Sequence, residues 1–180
     1  MIEIVKANQR RFSDREWLQT YWLFSFASYY DPRNIRFGAL RVFNDDVVQP
    51  GEGFPTHPHE EMEIITVVLD GEITHADSMG NKAVIRAGDV QRMSTGTGLT
   101  HSEFNIGESP VHFYQIWLFP DQAGLAHRTA GRAVCSRWPQ ARAYRVRSPS
   151  SQMRPSTGVS SPKAMRCRMT PRPAGVCSSI

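Results

Sequence analysis

The sequence predicts an all-β barrel or sandwich, and two observations carry that prediction. From about residue 35 to 119, short apolar runs are cut by turn signals at close intervals while helix signals are scarce, as in barrels built from many short strands. Between the runs stand Gly51 to Gly53, Asp70-Gly71, Ser78 to Asn81, Ala87-Gly88-Asp89 and Gly96 to Gly98, glycine-bearing positions that supply the positive φ of tight hairpins.

In chain order the runs are ALRVFNDDVV, MEIITVVLD, EITHAD, AVIRA, DVQRMS, THSEFNI and VHFYQIWLF. Ahead of them lies the aromatic segment SFASYYDPRNIRFG, with an Asp31-Pro32 turn, which is expected to cover one barrel face before the first strand. Met62 and Met93 are expected to fill the barrel.

At 180 residues the chain suits one full domain, or one small domain and a tail. No stretch approaches the roughly 20 apolar residues of a membrane span, and MIEIVKANQRRF lacks the apolar run of a secretory signal. The expectation is a soluble, cytoplasmic protein. The formal charge of +4 conceals two populations of opposite sign. Residues 1–126 hold all 17 acids and 10 Lys and Arg, for −7, whereas residues 127–180 hold 11 cations and no acid, for +11. By ordinary acid usage, an acid-free run of 54 residues arises by chance only about once in a thousand times. Two explanations fit residues 126–180: a disordered basic extension that could touch nucleic acid or acidic surfaces, or an out-of-frame translation. Cys135, Cys167 and Cys177 match neither a zinc spacing nor a disulfide framework.

Two short motifs carry chemistry. Strand side chains alternate faces, so His57-Pro58-His59 turns two imidazoles one way, and His101-Ser102-Glu103 turns an imidazole and a carboxylate one way. If the two strands are neighbours, four ligands converge in the barrel interior. Three neutral nitrogens and a carboxylate suit one divalent transition metal, with iron, manganese, nickel, copper and zinc all compatible.

The first pair sits within Gly51-x5-His57-x-His59-x3-Glu63-x7-Gly71, and the second within Gly88-x5-Ser94-x-Gly96-x4-His101-x3-Asn105. These resemble the two motifs of the cupin superfamily, with one extra residue before Gly71, serine at Ser94 in place of the usual proline, and a longer step from Gly96 to His101. The segments FSFASYYDP, THPHEEMEIITVVLDGEITHADSMGN, GDVQRMSTGTGLTHSEFN and HFYQIWLFP narrow the resemblance to the pirin N-terminal domain, over residues 1 to about 125.

That resemblance implies a cupin-type, jelly-roll-like double-stranded β-helix, with 126–180 standing where pirins carry a second cupin domain. It implies metal ligands at His57, His59, His101 and Glu103, with Fe(II) the expected ion and Ni, Mn, Cu or Zn possible. In many other cupins the first motif's glutamate is the acidic ligand, which makes Glu63 the competitor of Glu103. His75 and His112 are read as wall or surface residues, and His127 belongs to the tail. The acidic run Glu60, Glu61, Glu63 is read as alternation on a strand end, with Glu60 or Glu61 solvated.

Pirins resemble, and some are, quercetin 2,3-dioxygenases, which open a flavonol ring with O2. The implied function is a dioxygenase in which Glu103 also serves as general base, with Met93, Phe54 and Phe113 among the walls that hold the flat ring. The alternative is a non-catalytic metal-binding module that contacts a protein partner, as proposed for pirins acting on transcription factors, or an inactive truncated pirin.

Overall fold

The computed structural model describes residues 4–134, with side chains through residue 129. The three cysteines and residues 135–180 of the expected tail lie outside the described residues. Eleven strands follow in order: β1 (Arg11–Asp14), β2 (Leu18–Trp22), β3 (Leu40–Val48), β4 (Gly53–His59), β5 (Glu63–Asp70), β6 (Glu72–Asp77), β7 (Lys82–Arg86), β8 (Asp89–Ser94), β9 (Leu99–Phe104), β10 (Val111–Leu118) and β11 (Arg128–Val134). They form a seven-stranded sheet, β1-β2-β3-β10-β5-β8-β11, and a four-stranded sheet, β4-β9-β6-β7. Each of the seven runs read from the sequence is a strand, and the expected cupin-type barrel is present.

Alternation decides what faces inward. In β3, Val42, Asn44, Asp46 and Val48 are buried while the residues between them are half-exposed. In β5 the buried set is Ile64, Thr66 and Val68, and in β6 it is Ile73 and His75. A core of Leu18, Val48, Val68, Ile73, Ile85, Val111 and Phe113 forms between the sheets, with a smaller cluster of Ile64, Met93 and Leu99. Burying each large apolar side chain contributes about 1.5–3 kcal/mol, so the inner faces hold the sheets together.

Two glycines set close approaches. A Cβ on Gly53 would lie 2.2 Å from the Glu103 carbonyl oxygen, so β4 and β9 pair tightly only with glycine there. Gly96, at φ +43, leaves room for the backbone of Leu125, whose carbonyl oxygen a Cβ would meet at 2.0 Å. Asn105, fully buried, donates from Nδ2 to the Val48 and Ser109 carbonyls and accepts from the Gly107 N–H, at 2.8–3.0 Å. The asparagine that closes the second motif therefore pins the turn after β9 to the end of β3.

Three features differ from the sequence reading. Strands β1 and β2 precede the expected start near residue 35, so the aromatic segment lies between β2 and β3, not ahead of the first strand. There Phe26 packs edge-on against Trp117, with ring centroids 5.4 Å apart, and lies 5.8 Å from Trp22. Finally, β11 begins three residues beyond 125 and pairs antiparallel with β8.

Candidate metal centre

Strand β4 pairs antiparallel with β9, with His57 opposite His101 and Phe54 opposite Glu103; the register shifts between Phe54 and His57. The neighbour relation on which convergence depended is therefore met. The ring centroids of His57, His59 and His101 lie 4.5–5.0 Å apart. One nitrogen from each falls within 4.8 Å of the other two.

Glu103 enters differently. It groups with His101 and His75, again within 4.8 Å, so His101 is common to both sets. His57, His59, His101 and Glu103 nevertheless line one cavity. The Glu103 side chain is buried and spans the sheets: Gln115 donates to Oε2 at 2.8 Å and Thr66 donates to Oε1 at 3.3 Å. Burial pushes the carboxyl up to about 7, against the opposing pull of those two hydrogen bonds.

Burial also depresses the imidazoles, His59 to about 4 and His101 to about 3, with the neighbouring histidines adding to the effect. Both rings are thus neutral near pH 7 and offer a lone pair. His57 Nδ1 lies 2.7 Å from the Pro55 carbonyl oxygen, an acceptor, so Nδ1 carries the proton and Nε2 is left free. Nε2 of His101 is buried with no hydrogen-bond partner. An unpartnered buried ring nitrogen beside two further imidazoles, with a carboxyl group within reach, is a donor set that fits a divalent transition metal.

Other assignments sort by position. Glu63 is bound by Arg92 at 2.8–2.9 Å and by Ser94 Oγ at 2.8 Å, and it belongs to neither ligand group. His112 pairs with Asp45 at 2.7 Å on a partly exposed face. Of the acidic pair, Glu60 is the exposed member, while Glu61, at φ +50, accepts from the Gly124 N–H at 2.9 Å and ties a turn. His75 is fully buried, as a wall residue is, and lies grouped with His101 and Glu103. Its pKa is lowered by burial, with Asp77 pulling the other way.

The cavity measures about 360 Å³. Its apolar walls include Trp17, Trp22, Phe26, Phe54, Ile64 and Trp117. Phe54 is placed as expected, whereas Met93 and Phe113 are packed in the core clusters and do not line it. Asp46 and Gln115 line it unforeseen. Burial raises the Asp46 carboxyl to about 7. Period-two alternation from Val42 and Val48 would have found Asp46, since all three share one face of β3.

A sequence model of the Pirin family matches residues 5–118. A protein of Escherichia coli named quercetin 2,3-dioxygenase is 51% identical over 129 residues, 71% of this chain and 56% of the relative. A pirin-like protein of Caulobacter vibrioides is 54% identical over 114 residues, 63% of this chain and 49% of its own length. The chain spans about half the length of the curated relatives it matches. Among solved structures, the bacterial pirin YhhW of Escherichia coli in complex with nickel(II) matches with a TM-score of 0.68 and 50% identity, covering 71% of this chain and 56% of that one.

Proposed function

Because this chain belongs to the pirin family, we propose that it is a metal-dependent dioxygenase acting on a flavonol such as quercetin with O2. The observation that carries the proposal is the placement of three imidazoles and a buried carboxyl group on the wall of one aromatic-lined cavity. Relatives that bear the quercetin 2,3-dioxygenase name support the substrate class.

His57, His59, His101 and Glu103 would hold one divalent transition metal, with Fe(II) the first choice and Ni, Mn, Cu or Zn compatible with the same donors. The nickel complex of the related pirin supports such a site. When bound, the metal supplies Lewis acidity and a meeting place for substrate and oxygen. Trp17, Phe54 and Trp117 hold the flat ring by edge and face contacts and exclude water. Gln115 and Thr66 hold Glu103 from the opposite sheet, and its carboxylate accepts the proton of the substrate hydroxyl as general base.

No helix among the described residues is long and apolar enough to cross a membrane. The decisive experiment measures oxygen uptake with quercetin by Fe(II)-loaded protein and by His101→Ala. Uptake that needs flavonol and vanishes in the variant supports the dioxygenase. One metal per chain without turnover would instead favour a non-catalytic metal-binding module.

A further inference from the structure

Beneath His101 lies a second histidine that the proposed chemistry does not use. His75 stands on β6, adjacent to β9, and its Nδ1 lies 3.4 Å from His101 Nδ1. Its Nε2 lies 3.3 Å from Asp77 Oδ2. Both contacts are long for hydrogen bonds, yet all three side chains are buried, at 1% exposure or less for His75 and Asp77.

Asp77 is held by donors alone. Its Oδ1 accepts from the Met79 and Asn81 backbone N–H groups at 3.0 Å, and its Oδ2 accepts from Asn81 Nδ2 at 2.9 Å and from Thr129 Oγ1 at 2.8 Å. A carboxylate so placed can only accept, so the His75 nitrogen facing it carries the proton. In a neutral imidazole the other nitrogen is then bare. His75 Nδ1 must therefore accept, and His101 Nδ1 must donate. That leaves the proton of His101 on Nδ1 and a lone pair on Nε2, the buried atom that lacks a partner.

We propose that Asp77 and His75 are positioning residues that lock His101 in the tautomer able to ligate a metal through Nε2. The arrangement extends the usual carboxylate–histidine–metal support by one imidazole, and Thr129 on β11 anchors its far end. The inference rests on the metal-centre reading above but not on the identity of the reaction.

Two measurements on the full chain test it. Nitrogen-15 histidine spectra of metal-free protein should show His101 as the Nδ1–H tautomer and His75 as the Nε2–H tautomer; His101 as Nε2–H would overturn the proposal. Titration with Ni(II) should show that His75→Phe still binds one ion at saturation but about 10–100-fold more weakly, with partial recovery in His75→Gln, whose amide oxygen can accept from His101. Unchanged affinity in His75→Phe would overturn the relay, and so would complete loss of binding by folded variant, which would make His75 a ligand. Failure of flavonol turnover would leave both readouts standing, and a parent that binds no Ni(II) would still be judged by its tautomers.

Discussion

His57 of β4 faces His101 of β9 directly across the antiparallel ladder, with ring centroids 4.5 Å apart. Each ring thus holds its place through a strand pairing as well as through its own motif. A His57→Ala, His101→Ala double variant should retain the fold and lose the metal. Plasma mass spectrometry should find about one ion per chain in the parent and none in the variant.

Gly53→Ala tests the close approach of the same two strands. The added methyl meets the Glu103 carbonyl oxygen and the Phe104 Cα, both backbone atoms that cannot swing aside. The variant should lose about 3 kcal/mol of stability, read as a lower denaturation midpoint, together with metal affinity.

Asn105→Ala removes a side chain that satisfies two carbonyls and one N–H at the end of the second motif. With the Val48 carbonyl left buried without this donor, the cost should be about 2–4 kcal/mol in chemical denaturation. Asn105→Asp, which keeps the shape but cannot donate, should cost nearly as much.

Gln115→Leu strips the shorter of the two hydrogen bonds from the buried Glu103 carboxyl. Metal-free protein should be less stable by about 1–3 kcal/mol at pH 8, because an ionised carboxylate then lacks its partner. At pH 5, where Glu103 is protonated, the loss should shrink. Paired thermal melts at the two pH values check it.

Asp77 gives a second pH dependence of opposite character. Burial alone would raise its pKa, but hydrogen bonds from Asn81, Thr129 and His75 outweigh that and hold it at about 2, below the ordinary 3.8. A depressed acid contributes stability that is present above the unfolded pKa and is lost as pH falls through the folded one. Between pH 4 and 2 the parent should therefore lose on the order of 2 kcal/mol that Asp77→Asn does not lose, measured as the difference between their denaturation midpoints.

Much of the barrel is legible in the sequence because apolar runs and glycine turns are local signals. EITHAD and DVQRMS coincide with β6 and β8 to the residue. Strand β2, LQTYW, was missed although Leu18, Thr20 and Trp22 alternate inward, because it is short and stands apart from the regular series of runs. Strand β11 was hidden inside a basic stretch whose composition reads as extension. Its pairing comes from β8, a contact that composition does not encode. The ligand histidines were legible through spacing that a strand converts into a shared face. His75 obeys the same rule, sharing the inward face of β6 with Ile73, but a lone histidine carries no pattern of its own. Its meaning arises only from the β6–β9 register, which sets His75 opposite Glu103 and Asp77 opposite His101.

The pairing of β4 with β9 also places the centre in time. Its donors come from two segments more than 40 residues apart, joined only after β5 to β8 have been made, and contacts of such separation form late because loop closure precedes their reward. A nascent chain that has not yet reached His101 holds two of the three ligand histidines but no pocket. Metal supplied during refolding should accordingly leave the early collapse rate unchanged and slow only unfolding, acting as a latch on the finished barrel instead of a seed for it.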